Sequence, residues 1–258
     1  MKLYLRFMGI HFRSSMEYKA SFFMLGIATM IASLGGLLSL TFLFMRFHTI
    51  AGYTFSQVLL CFSTIVMSFA LSEVFFRGFD RFEQIIRGGT FDRMLLRPCS
   101  LIGQILFEKI EFNRLSKVIE AAVVLAYAIP RSGVIWTADK ILVLILMILG
   151  GVMMFAGMFL LFAGICFYTL EGLEVLNILT NGSENFGHYP VSVYGKWMLR
   201  FYTFIVPLAC VQYYPLQYLL GRSDRSWYGL LPLAGFVFTI PCYCFWRIGL
   251  KHYKSNGS

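Results

Sequence analysis

Five stretches of this chain, Ser21 to Met45, Thr54 to Phe76, Ile141 to Thr169, Met198 to Leu220 and Tyr228 to Gly249, carry at most one acidic or basic residue each. Every one is long enough for a helix to cross a hydrocarbon core, which takes about 20 residues. Lipid offers the backbone no hydrogen bonds, so apolar segments of this length must satisfy their own amides as helices. Composition agrees: 58% of the 258 residues are apolar and 14% charged, against roughly 45–50% and about 25% in a soluble domain. A sixth segment, Val118 to Ile129, is too short by itself. A spanning helix there must begin near Glu111 and hold Arg114 and Lys117 at the membrane edge, where long basic stems reach back to water. The expectation is an all-α integral membrane protein of six transmembrane helices, a single domain over residues 1–258.

Most of the 22 Lys and Arg residues fall before Ser21, between Arg77 and Lys117, and from Arg247 onward. Basic connections stay in the cytoplasm, which places both termini and the 77–110 connection inside. The net charge of +9 is then a mark of topology and of contact with anionic lipid rather than of nucleic-acid binding. In the opening "MKLYLRFMGIHFRSSMEYK", Leu3, Phe7 and Ile10 share a helical stripe, with Lys2, Arg6 and Arg13 off it. That pattern predicts an interfacial helix over residues 1–20 lying on the inner membrane surface.

Several chemistries have no residues to perform them. The chain's Gly-Lys pair, Gly195-Lys196, is followed by Trp197 and not by the Ser or Thr of a phosphate-cradling loop. No H-E-x-x-H or G-x-S-x-G occurs, and the four histidines, His11, His48, His188 and His252, lie in separate connections. The six cysteines show neither C-x-x-C pairs nor metal-ligand spacing. No cofactor, metal or catalytic residue is expected.

The polar exception is the connection after the second span. "FFRGFDRFEQIIRGG" keeps an apolar stripe at Phe75, Phe79, Phe82 and Ile86, with Arg77, Asp80, Arg81 and Glu83 off it, so the helix should continue out of the bilayer. Gly88-Gly89 can supply the left-handed backbone that stops it, Pro98 bars a straight continuation, and Ser100 can cap the next helix. Between the stops, "TFDRMLLR" sets Phe91, Met94, Leu95 and Leu96 beside Asp92, Arg93 and Arg97. Such a patch suits docking into a partner's groove; folding back onto the membrane surface suits it equally.

Within the spans, Gly150, Gly157 and Gly164 recur every seven residues along one face, a pattern for close helix packing, here expected within the chain rather than between chains. Pro207, Pro215, Pro232 and Pro241 should kink or break the last two spans. Gln212, Tyr213, Tyr214 and Gln217 could line an outer gate or form an interfacial belt. Of the carboxylates at membrane depth, Glu73, Glu120, Glu171 and Glu174, Glu120 follows Lys117 by one turn, so local pairing is expected to satisfy it.

Two blocks carry a resemblance. "GGTFDRMLLRP", residues 88–98, is similar to a G-x-[FL]-D-x-[IL]-L-x-[RK]-P pattern after the second span, and "YPVSVYGKWMLRFYTFIVPLACVQYYPLQYLLG", residues 189–221, resembles a Y-P-x-x-[IV]-Y signature followed by a second Tyr-Pro and Leu-Gly. The opening residues and "EGLEVLNILTNG", residues 171–182, match too. The chain thus resembles the six-span membrane subunits of bacterial ABC-2 type transporters, which commonly occur as paired, non-identical permeases. The resemblance implies an exporter permease of the bacterial inner membrane, without enzymatic activity, working with a separate ABC ATPase in two copies and a second permease. It makes residues 77–110 a cytoplasmic coupling region, with Arg77, Arg81, Gly88, Gly89, Phe91, Asp92, Arg93, Leu95, Leu96, Arg97 and Pro98 meeting the ATPase. Pro207, Gln212, Tyr213, Tyr214, Pro215 and Gln217 are the candidates for a path or outer gate. The alternative is a membrane scaffold or sensor that binds an ATPase without moving substrate.

Overall fold

The computed structural model describes residues 9, 10, 13, 14, 17–108, 110–169 and 174–253. Most of the expected interfacial helix, as well as Glu171 and the side chain of Glu174, lies outside them. The described residues are mostly helical, with no strand among them and one isolated bridge between Ile50 and Tyr53.

Helix α1, Lys19–Arg46, is followed by a turn through Ala51 and Gly52, both at positive φ. Helix α2, Phe55–Asp80, starts from a capping box in which the Gln57 side chain accepts from the Thr54 amide at 3.2 Å. It kinks at Arg81 into α3, Phe82–Arg87. Gly89, at φ 64°, then turns the chain into α4, Thr90–Leu95, the left-handed position expected of the glycine pair. Helix α5, Leu101–Glu108, is capped by Ser100, whose Oγ accepts from the Gly103 amide at 3.2 Å. A short 3-10 turn, Phe112–Arg114, leads into α6, Leu115–Arg131, close to the start inferred for the third span.

Helix α7, Ala138–Thr169, runs unbroken past Gly150-Gly151 for about 48 Å at 1.5 Å per residue. Next come α8, Glu174–Gly187, and α9, Lys196–Phe204. The helix then breaks around Pro207, resumes as a π turn at Ala209–Tyr213, and ends in the short α10, Tyr214–Leu219. The expected single span over Met198 to Leu220 is therefore in pieces, because Pro207 removes an amide donor and crowds the preceding turn. A 3-10 stretch, Ser226–Leu233, precedes α11, Ala234–His252.

Among the described residues, four helices are long and apolar enough to cross a membrane: Lys19–Arg46, Phe55–Arg87, Ala138–Thr169 and Ser226–His252. The other two expected spans are the 17-residue α6 and the broken α9–α10 segment.

The core lies where α2 and α7 meet, with α6 on one flank of α2 and α11 along α7. The glycine face of α7 is turned to α11 and the stretch before it. A β-carbon on Gly150 would stand 2.2 Å from the Pro232 carbonyl oxygen, and one on Gly164 would stand 2.7 Å from the Phe245 ring. The heptad glycines thus serve packing within the chain, as expected. Thr239 adds a bond across this seam, its hydroxyl donating to the Met153 carbonyl at 2.9 Å.

The connections gather at the two ends of the bundle. At one, the Arg222 guanidinium donates to Gly52 O at 2.6 Å and lies over the Tyr53 ring, while the Tyr218 hydroxyl donates to Asp139 at 2.8 Å. At the other, the α3–α4 hairpin meets Tyr253, just beyond α11.

Candidate functional site

The hairpin between α2 and α5 has an inner and an outer face. Phe91 is wholly buried, its ring edge-on to Phe82 at 5.1 Å, Phe167 at 5.6 Å and Tyr253 at 5.0 Å. Met94 is buried beside it. The sequence expectation that these two side chains are displayed is corrected: α4 is amphipathic and turns them onto the ends of α7 and α11. Three residues apart, Phe91 and Met94 share a face, while Leu95 is the last residue of α4 and Leu96 lies past its end, where side chains emerge from the turn. Leu95 is 43% and Leu96 86% exposed, with Arg93, Arg97 and Pro98 exposed around them.

Polar bonds fix the hairpin. The Tyr253 hydroxyl donates to Asp92 at 3.1 Å, the Arg93 guanidinium donates to Thr90 Oγ1 at 3.1 Å, and the Gln104 amide donates to the carbonyls of Met94 and Cys99 at 3.1 and 3.2 Å. Partial burial and the bond to Asp92 hold the Tyr253 phenol above its ordinary range. The knob formed by Leu95 and Leu96 is thus mounted on a stiff base rather than on a free loop.

Arg77 and Arg81, also expected at a partner surface, are both engaged in ion pairs within the chain, Arg81 with its side chain 36% exposed. Arg77 pairs with Glu73 at 3.0 Å and Asp80 at 3.1 Å, and Arg81 pairs with Glu111 at 3.0 Å. Arg114 adds contacts to Glu111 at 3.3 Å and Glu73 at 3.5 Å. One turn further along α6, Lys117 meets Glu184 of α8 at 2.6 Å and lies over the Phe69 ring. Glu120 is therefore not the partner of Lys117, as the one-turn spacing had suggested: a residue 67 positions away takes that role. No local pattern signals such a pair, because its two members meet only when α6 and α8 pack.

The candidate gate residues sit in and beside the broken segment. Pro207 and Gln212 are buried, and the Gln212 amide donates to the carbonyls of Cys61 and Gly187. The Gln217 amide donates to the Tyr53 hydroxyl, and Tyr214 packs on Tyr213 and Tyr228, with its hydroxyl 3.3 Å from Thr203 Oγ1. Pro215 is buried in the first turn of α10. These residues tie α9–α10 to α2 and to the stretch before α11, leaving Gln212 and Pro207 inside the protein. Among the described residues no group of three His, Cys, Asp or Glu side chains converges as a metal site.

A long apolar bundle, a stiffened polar hairpin at one end and a proline-broken segment near the other make up the arrangement. No curated protein and no solved structure matches the chain. Residues 30–257 match the sequence profile of the family described as ABC-2 family transporter protein. With nearly the whole length covered, the chain belongs to the ABC-2 family of transporter membrane proteins.

Proposed function

We propose that the chain is a permease subunit of an ATP-driven exporter, crossing the bacterial inner membrane six times with both termini in the cytoplasm. A separate ABC ATPase docks on the α3–α4 hairpin, and a second, non-identical permease completes the pathway. The observation that carries this reading is the hairpin: Leu96 stands out among Arg93 and Arg97 on a base locked by Phe91 into α7 and α11. A side chain displayed in this way is suited to a groove, and a stiff mount passes a push to the membrane helices instead of absorbing it. The proline-broken α9–α10 segment is where such a push can be accommodated, since the helix is already interrupted there at Pro207.

Co-purification from native membranes tests the assembly. A soluble ATP-binding protein and a second permease are expected in fixed ratio with this chain, and Leu96→Glu is expected to remove the ATP-binding protein while the permease pair survives. Repeated recovery of the chain alone would overturn the reading. Cys99, exposed beside the hairpin, reports sidedness independently. A membrane-impermeant maleimide should label it in inside-out vesicles and not in intact cells.

A further inference from the structure

At the hairpin end of the bundle, a cavity of about 450 Å³ lies between the start of α1 and the turn that opens α6. Helix α1 rests on α6 beside it, where a β-carbon at Gly26 would stand 3.8 Å from Ser116 and 3.9 Å from the Asn113 carbonyl oxygen. One wall is Ser21, Phe22 and Leu25 of α1; the other is residues 110–114, with Arg81 lining it from the kink between α2 and α3. Tyr18, 75% exposed, belongs to the same lining. The cavity is thus at the membrane edge: the apolar α2 gives way to the polar hairpin at Arg81, and an aromatic residue flanks the start of α1.

Charge is unevenly divided here. Arg77, outside the lining, takes Glu73 at 3.0 Å and Asp80 at 3.1 Å. Glu111 is left to be shared by Arg81 at 3.0 Å and Arg114 at 3.3 Å, and Glu73 reaches Arg114 only at 3.5 Å. The charged lining is therefore Arg81 and Arg114 against the single carboxylate Glu111. That carboxylate is the more buried, its side chain 9% exposed against 36% for Arg81 and 26% for Arg114. Each guanidinium gives one N–H to Glu111 and has others to offer, in a planar fork that matches phosphate oxygens. The remaining lining is mixed: Ser21 and Asn113 add polar groups, while Phe22, Leu25, Ile110 and Phe112 are apolar. Basic pockets between membrane helices at the cytoplasmic edge take anionic lipid headgroups.

We propose that this cavity holds the phosphate of an anionic phospholipid from the leaflet on the hairpin side. Arg81 and Arg114 grip the phosphate oxygens, and the glycerol backbone and first methylenes lie on Phe22 and Leu25, from which the chains pass into lipid along the exposed side of α1. A free phosphate ion would meet the guanidiniums but leave the apolar wall uncovered. A zwitterionic lipid would bring its own cation toward two arginines. The site requires that the chain lie in a membrane and is independent of what docks on the hairpin.

The test is photolabelling of the full-length chain in phosphatidylcholine vesicles by a trace of phosphatidylglycerol carrying a diazirine near the carboxyl end of one acyl chain. Labelling of the peptides that contain Phe22 and Phe112 is expected to saturate with unlabelled phosphatidylglycerol, and to exceed that from the matching phosphatidylcholine probe at least fivefold. Arg81→Gln leaves Glu111 its partner Arg114, and is expected to bring the two probes within twofold of each other. Ser21→Phe fills the cavity from an exposed position without changing charge and should do the same. Millimolar inorganic phosphate should not compete. Equal labelling of the wild-type chain by the two probes, wild-type selectivity in either variant, or loss of label to inorganic phosphate would overturn the proposal. The comparison of probes on the wild-type chain decides it even where a variant fails to fold.

Discussion

Helix α1 and the α2–α3 segment have the same mean hydropathy, 2.0, yet 6% of the apolar window of the first is buried against 83% of the second. In water this difference would be read from hydrophobicity; in lipid it cannot be, because the solvent is as apolar as the core. What separates them is polarity and small size at particular positions. The buried face of α2 carries Ser63, Thr64, Ser68 and Ser72; three of these donate to carbonyls of α2 itself. The Ser68 hydroxyl, however, donates both to the Thr64 carbonyl at 2.8 Å and to the Ile148 carbonyl of α7 at 3.0 Å, and the Cys61 carbonyl of α2 accepts from Gln212. On α1, Thr29 and Thr41 donate only to the carbonyl one turn back in their own helix. The helix that bonds to neighbours becomes the core, and the one that bonds to itself lies at the edge.

Breaking the buried side should cost far more than altering the edge. Lys117→Met leaves Glu184 charged and unpaired beside α2, and is expected to lower stability by about 3–5 kcal/mol, with most of it returned in the double variant with Glu184→Leu. Thr29→Ala on α1 is expected to stay within about 0.5 kcal/mol. Denaturant titration of the chain in mixed micelles reads both.

A smaller contrast uses two glycines. A β-carbon on Gly78 would stand 2.1 Å from the Ile105 carbonyl oxygen, whereas one on Gly35 of α1 has nothing within 4 Å. Gly78→Val should therefore destabilise by up to about 3 kcal/mol through overpacking against backbone. Gly35→Val should leave the melting temperature close to wild type.

A more modest loss sharpens the comparison at the hairpin, whose inner face belongs to the core. Tyr253→Phe keeps the ring packing and removes the bond to Asp92, a loss of about 1 kcal/mol. The sign of its pH dependence follows from the raised Tyr253 pKa: the folded state favours the neutral phenol. Its contribution is complete below the ordinary tyrosine value of 10 and falls away as the pH rises above it. Stability measured from pH 8 to 11 should thus decline less steeply in Tyr253→Phe.

Much of the hairpin was legible in advance. Gly89 at positive φ, the Ser100 cap and the stop near Pro98 follow from local backbone rules that need no neighbours. The burial of Phe91 and Met94 was not legible, since "TFDRML" reads the same whether its apolar face meets a partner or the chain's own α7. Lys117 misled for a related reason: Glu120 is the nearer residue in sequence, and Glu184 is the nearer one in space. The broken fifth segment was visible through Pro207, while the inward turn of Gln212 toward Cys61 and Gly187 was not.

Length, hydrophobicity, prolines and glycines by themselves determined that this is a helical membrane protein and where its helices start, stop and break, because those are properties of single segments in lipid. Which helix is buried, which charge finds a partner and which is left over were decided only by the tertiary structure. Helices of equal hydropathy gain nothing from lipid by exchanging places; what sorts them is side-chain fit and hydrogen bonding between segments far apart in the chain.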